Sequence, residues 1–267
     1  MLKRILYATD LSEKSLVILN SLPEFKCLGV KDFVILRVIN LTRILGVARG
    51  IDIESYIREI EKESMPKLEE IAKEIERVGY RAKVYPPPAG EPVSEIVRVA
   101  EEEKVDMIVM GSRGRSSLKA ILLGSTAEGV VRRAKIPVMV FKDHTPSVFS
   151  KLLYSHDLSE KAEKLGSYVK FIAKACNSSV VVAHILEKGE VLEEDRLDEI
   201  ERDFRGEGID VKVVVGEGNP PKEIVKIAEI ENATCIFVGR SGKGLRSILG
   251  STADFIIRYS KVPVFVA

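Results

Sequence analysis

The sequence predicts an α/β protein made of two tandem copies of one domain, each a five-stranded parallel sheet with helices on both faces. Three observations carry that expectation. The chain repeats itself over long stretches: "RILYATDLSEKS" at 4–15 returns as "KLLYSHDLSEKA" at 151–162, and "GSTAEGVVRRAKIPVMVF" at 124–141 returns as "GSTADFIIRYSKVPVFVA" at 250–267. A period this long is a duplicated domain and not a solenoid. Short β-branched runs alternate with helical patterns inside each copy. Those runs are apolar almost throughout, as strands buried on both faces are.

The elements of the first copy follow in order. Strands are expected at "RILYAT" (4–9), "FVILRVI" (33–39), "RAKVY" (81–85), "DMIVM" (106–110) and "PVMVF" (137–141). A long amphipathic helix separates the second and third, with Ile57, Ile60, Leu68, Ile71, Ile75 and Val78 near helical spacing and Gly79 as its stop. Pro92 sits in the first turn of another helix that ends before the fourth strand. Right-handed crossovers leave few ways to order five such strands. The flavodoxin-like, Rossmann-like order 3-2-1-4-5 is one, and it places a ligand crevice beyond the carboxyl ends of strands one and four. The polar stretch "KDHTPSVFS" at 142–150 reads as the linker. The expected domains are therefore 1–143 and a shorter 149–267.

Composition narrows the classes of function. A chain of 267 residues with 45% hydrophobic and 30% charged residues is of ordinary globular type and long enough for two cores. A formal charge of +1 argues against nucleic acid as a general partner. No apolar run reaches 18 residues, so no membrane association and a cytoplasmic location are expected. Cys27, Cys176 and Cys235 are too few and too scattered for a disulfide framework or a zinc site, and are expected to be small buried hydrophobes. The absence of Gln and the abundance of Ile, Val, Glu and Lys lean towards a thermophile.

The stretch "GSRGRSSLKAILLGST" at 111–126 lines the expected crevice. Its glycines let main-chain N–H groups approach a ligand, and "GST" opens a helix whose unpaired amides and dipole favour an anion. Ser125 followed by Glu128 also fits a capping box, which would make the same residues purely structural, and both readings stand at this point. Arg113 suits a phosphate contact or a solvated loop charge, Asp10 could serve as the cap of the first helix, and Val38, as an apolar strand residue, could be part of the core.

The spacing Gly111-x2-Gly114-x9-Gly124-Ser125, after a fourth strand and before "IPVMV", resembles the nucleotide-binding signature of the universal stress protein family in its ATP-binding branch. "ILYATD" and "ILRVI" resemble it too, and the likeness covers nearly all of both halves. The resemblance implies ATP or AMP as ligand, with Mg2+ or Mn2+ accompanying ATP, and a stress-response role. It implies that Asp10, with Ala8 and Thr9 beside it, lies by the adenosine moiety and that the backbone of Val38 recognises adenine. Gly111, Arg113, Gly114, Gly124, Ser125 and Thr126 would surround ribose and phosphates. Family dimers join through their fifth strands, which in this chain implies an intramolecular pseudo-dimer through the fifth strands. A homodimer and an unidentified protein partner stay open.

The second copy departs from this pattern. Its loop, Gly239-x2-Gly242-x7-Gly250-Ser251-Thr252, is two residues shorter, and the region between its second and third strands is contracted. Asp157 and Ile185 still match Asp10 and Val38, so a second, altered crevice is expected, with weaker binding. His144, His156 and His184 have no counterparts in copy one, and His156 adjoins Asp157 without needing to face it. Catalysis finds little support: no Lys follows the glycines as in a P-loop, no metal-ligand spacing appears, and Ser125 with Asp10 lacks a base. The expected function is a nucleotide-binding regulator, with a slow ATP hydrolase and a ligand-free interaction module as alternatives.

Overall fold

The computed structural model describes residues 2–42, 52–112, 123–142, 146–241 and 249–267. The chain divides into two compact units, Met1–Val138 and Met139–Ala267.

The first unit opens with β1 (Arg4–Ala8), a single turn of helix α1 (Glu13–Leu16), a 3-10 helix over Val17–Lys26, β2 (Asp32–Leu36) and β3 (Ile39–Asn40). Then come α2 (Ile53–Val78), β4 (Arg81–Val84), β5 (Ala89–Gly90), α3 (Pro92–Glu102), β6 (Met107–Gly111) and α4 (Ser125–Arg133). The strand β7 (Val138–Phe141) spans the division between the units. β1 pairs in parallel with β2 and β6, and β2 with β4, giving the order β4-β2-β1-β6. The Ile108 amide donates to the Pro137 carbonyl at 3.0 Å, which brings the chain entering β7 alongside β6 and completes the 3-2-1-4-5 order.

Burial explains the pattern. Every residue of β6, and all of β1 and β2 but their first residues, is buried. Leu68, Ile71 and Ile75 of α2 and Ile96 and Val99 of α3 cover them. Each such side chain contributes roughly 1.5–3 kcal/mol as an upper bound. The Gly79 stop holds: its φ of 104° is left-handed, and its amide donates to Glu76 O at 2.9 Å.

The second unit contains β8 (Lys151–Ser155), α5 (Glu160–Cys176), β9 (Ser179–Leu186), α6 (Glu194–Gly206) and β10 (Val211–Glu217). It ends with α7 (Pro220–Ile230), β11 (Cys235–Val238), α8 (Ser251–Tyr259) and β12 (Val264–Val266). All pairs are parallel, in the order β10-β9-β8-β11-β12. The contraction seen in the sequence is visible in the helices: α2 has 26 residues and α6 has 13.

The structure corrects three expectations. The second strand of copy one stops at Leu36, and Arg37 and Val38 separate it from β3, which pairs with β5 in a small second sheet. Val38 is therefore a half-buried residue at a strand break and not part of the core. Of the cysteines, only Cys235 is fully buried; Cys27 is exposed and Cys176 half-buried. No described helix is long and apolar enough to cross a membrane.

Candidate functional site

The carboxyl ends of β2, β1 and β6 are neighbours, because Ala8 stands opposite both Leu36 and Met110. That register gathers Ala8, Thr9 and Asp10 near Val38 on one side and Gly111 on the other. Just beyond β1 the chain makes a tight turn. Asp10 Oδ1 accepts from the Ser12 amide (3.1 Å) and hydroxyl (2.6 Å), and Thr9 Oγ1 accepts from the Leu11 amide (3.0 Å). Leu11 is held at a φ of 61°, a left-handed conformation unusual for leucine. The cap of α1 is Ser12, whose hydroxyl accepts from the Ser15 amide. Asp10 shapes the turn and does not cap the helix, which removes its simplest structural reading.

The second unit builds the same turn. Asp157 Oδ1 accepts from the amide (3.2 Å) and hydroxyl (2.5 Å) of Ser159, which caps α5, and Leu158 sits at a φ of 58°. The place of Thr9 is taken by His156, whose Nδ1 accepts from the Leu158 amide at 2.9 Å.

The helix that follows the glycine loop also repeats. Gly124 is the N-cap of α4 and Gly250 that of α8, and neither helix has a side-chain cap. Ser125 is thus the first helical residue, so the capping box is overturned. Glu128 instead accepts from Arg132 one turn on, at 3.0 Å. The Gly124 amide donates to Ser112 O and the Gly250 amide to Arg240 O, both at 2.8 Å, closing each loop at its base. Gly124 has φ −66° and ψ 140°, which any residue adopts, so the backbone itself does not demand a glycine. Ser125 is exposed and Thr126 half-buried beside amides that lack a side-chain acceptor. The buried Ser112 hydroxyl, next to Gly111, has no hydrogen-bond partner.

Arg113, Gly114 and Gly242 lie outside the described residues. In the second unit the remaining expected residues converge: Asp157, Ile185, Gly239, Gly250, Ser251 and Thr252 all line one cavity of about 500 Å3. Two further lining residues were missed from sequence, His156 and His184, only 3% and 2% exposed. The His184 Nδ1–H donates to the main-chain oxygen of His156 at 2.9 Å. The signal that finds them is register. β8 and β9 pair in parallel with Ser155 opposite Ala183, so the next residues, His156 and His184, emerge side by side. Burial pushes the His156 imidazole down to about 4, with His184 and Arg196 adding to the shift and Asp157 opposing it. His156 is therefore neutral at pH 7. Among the described residues, no cluster of His, Cys, Asp and Glu is arranged to hold a metal ion.

Comparison with known proteins agrees with this architecture. The model of the universal stress protein family matches residues 1–142 and 186–267. The crystal structure of a universal stress protein from Archaeoglobus fulgidus DSM 4304 is 40% identical, covers 99% of this chain and 95% of its own, and superposes with a TM-score of 0.85. Universal stress protein MJ0577 of Methanocaldococcus jannaschii is 39% identical over 157 residues, 53% of this chain and 96% of that protein. Universal stress protein MJ0531 of the same organism is 38% identical over 91 residues, 34% of this chain and about half (51%) of that protein.

Proposed function

This chain belongs to the universal stress protein family, and we propose that it is a cytoplasmic regulatory protein that binds an adenine nucleotide, ATP or AMP, in the crevice of its first unit. The observation that carries the proposal is the N-terminus of α4. Its amides have no side-chain cap, its N-cap residue is a glycine, and the Gly124 amide bonds to Ser112 O. Such an end attracts phosphate through its N–H groups and the helix dipole.

In this reading Gly124, Ser125 and Thr126 receive the phosphates, and Gly111, with Arg113 and Gly114, flanks the ribose and phosphates. Asp10, Thr9 and Ala8 border the adenosine. The break after Leu36 places Val38 outside the β1–β2 ladder, where in this reading its main-chain groups meet an adenine edge. Bound ATP would bring its own Mg2+ or Mn2+, and the protein's part is to hold the nucleotide and respond to it by a change of shape or partner. The second unit binds nucleotide more weakly, because its loop is shorter and Ser241 replaces Arg113.

Mass spectrometry of small molecules released by denaturing the purified chain tests the reading, with ATP or AMP expected. ADP production above a heat-killed control would move the assignment to a slow hydrolase. Absence of any retained nucleotide, together with no calorimetric response to ATP or AMP, would overturn it.

A further inference from the structure

The cavity of the second unit has two ends, the uncapped start of α8 at Gly250–Thr252 and a pair of histidines that the first unit lacks. The charged side chains lining it among the described residues are carboxylates, Asp157, Glu187 and Glu190, and Lys161 donates to the lining Ser241 Oγ at 3.1 Å. Its floor carries two nearly fully buried imidazoles whose protonation is fixed by the main chain. His156 Nδ1 accepts from Leu158, so in the neutral ring the proton is on Nε2, a donor. His184 Nδ1 donates to His156 O, so in the neutral ring its Nε2 is an acceptor. Both Nδ1 edges face the main chain and both rings line the cavity, and neither Nε2 has a partner among the described residues. Both Nε2 atoms are thus left to whatever fills the cavity, one as donor and one as acceptor.

The fold alone does not require these rings. In the first unit Thr9 Oγ1 accepts the same turn amide that His156 accepts. The counterpart of His184 is Arg37, which donates instead to the Ser64 hydroxyl of α2.

We propose that His156 and His184 act as a paired donor and acceptor that binds the amide-like edge of an uncharged heterocycle, a nucleobase or a carboxamide, in the second unit. A cavity of about 500 Å3 is large enough for a nucleoside. The inference rests on the nucleotide reading only for the choice of adenosine as a probe, and it concerns the histidine end of the cavity, where no phosphate group is needed for binding.

The chain has three histidines, so 13C-histidine NMR of the full-length protein yields three ring signals, with His144 as internal control. Adenosine, nicotinamide, inorganic phosphate and ATP are titrated separately. Adenosine or nicotinamide should move the His156 and His184 signals and leave His144 in place, and whichever acts identifies the source of the edge. ATP should act more weakly than adenosine, and phosphate not at all. His156→Thr, which restores the turn acceptor of copy one, and His184→Asn, which keeps the Nδ1-side donor, should each weaken binding of the active probe by about tenfold. The proposal is overturned if neither adenosine nor nicotinamide moves the two signals, or if phosphate or ATP moves them at lower concentration than adenosine does. ATP binding seen by calorimetry while both signals stand still under every probe would leave the first-unit reading intact and remove this one. Adenosine acting on the pair with no ATP binding anywhere would do the reverse.

Discussion

His184 donates from Nδ1 to the carbonyl oxygen of His156 at 2.9 Å, so one buried imidazole holds the strand end that carries the other. The burial of His156 has a consequence for acid stability. Its folded-state value of about 4 lies below the ordinary 6.5, mainly through desolvation, with His184 and Arg196 pushing the same way and Asp157 opposing. Above pH 6.5 both states are neutral there and the contribution is complete. As pH falls from 6.5 to 4 the unfolded chain takes up a proton that the folded chain refuses, and up to about 3 kcal/mol is lost. Urea unfolding across that range should show a shallower pH slope for His156→Thr than for the parent chain; equal slopes would contradict the assignment.

Two glycines at helix ends should respond in opposite directions. Gly79 closes α2 at a φ of 104°, and Gly79→Ala should cost about 1 kcal/mol through backbone strain. Gly206 ends α6 without a left-handed φ, and a Cβ there meets nothing within 4 Å. Gly206→Ala should stabilise by about 0.4–1 kcal/mol. Denaturant midpoints of the two variants read the signs directly.

Gly129 should punish a substitution that helix propensity favours. A Cβ on this residue of α4 would come within 2.5 Å of Val93 Cγ2 on α3, so the two helices would have to move apart or Val93 change rotamer. Gly129→Ala should destabilise by about 1–3 kcal/mol. The double variant with Val93→Ala should recover part of that loss, and a neutral single variant would show that the helix pair yields more easily than its spacing implies.

Much of the fold was legible because parallel strands buried on both faces write themselves as apolar runs, and because Gly79 and Pro92 punctuate the helices between them. Local backbone changes left weaker traces. "FVILRVI" carries no turn residue, yet the strand breaks at Arg37–Val38 and resumes as β3 to meet Ala89 and Gly90, a pairing decided by a distant segment. The helix after β1 is one turn followed by a 3-10 segment containing Pro23, whereas its counterpart α5 runs unbroken for 17 residues. At the site, Ser125 and Glu128 satisfied the capping-box pattern, but Gly124 took the N-cap position, its amide bonded to Ser112 O. His156 and His184 were visible singly and joined only by the register of β8 and β9.

The central claim, that the uncapped start of α4 receives the phosphates of an adenine nucleotide, is tested most directly by calorimetric titration of ATP into the parent chain, Gly124→Val and Gly250→Val, with folding checked by circular dichroism. A branched side chain at Gly124 should block close approach and remove about two charge-assisted main-chain contacts at roughly 1.5–3 kcal/mol each, weakening binding by about 100-fold or more. Gly250→Val should leave the tight site unchanged. An unaltered affinity in a folded Gly124→Val chain would contradict the account.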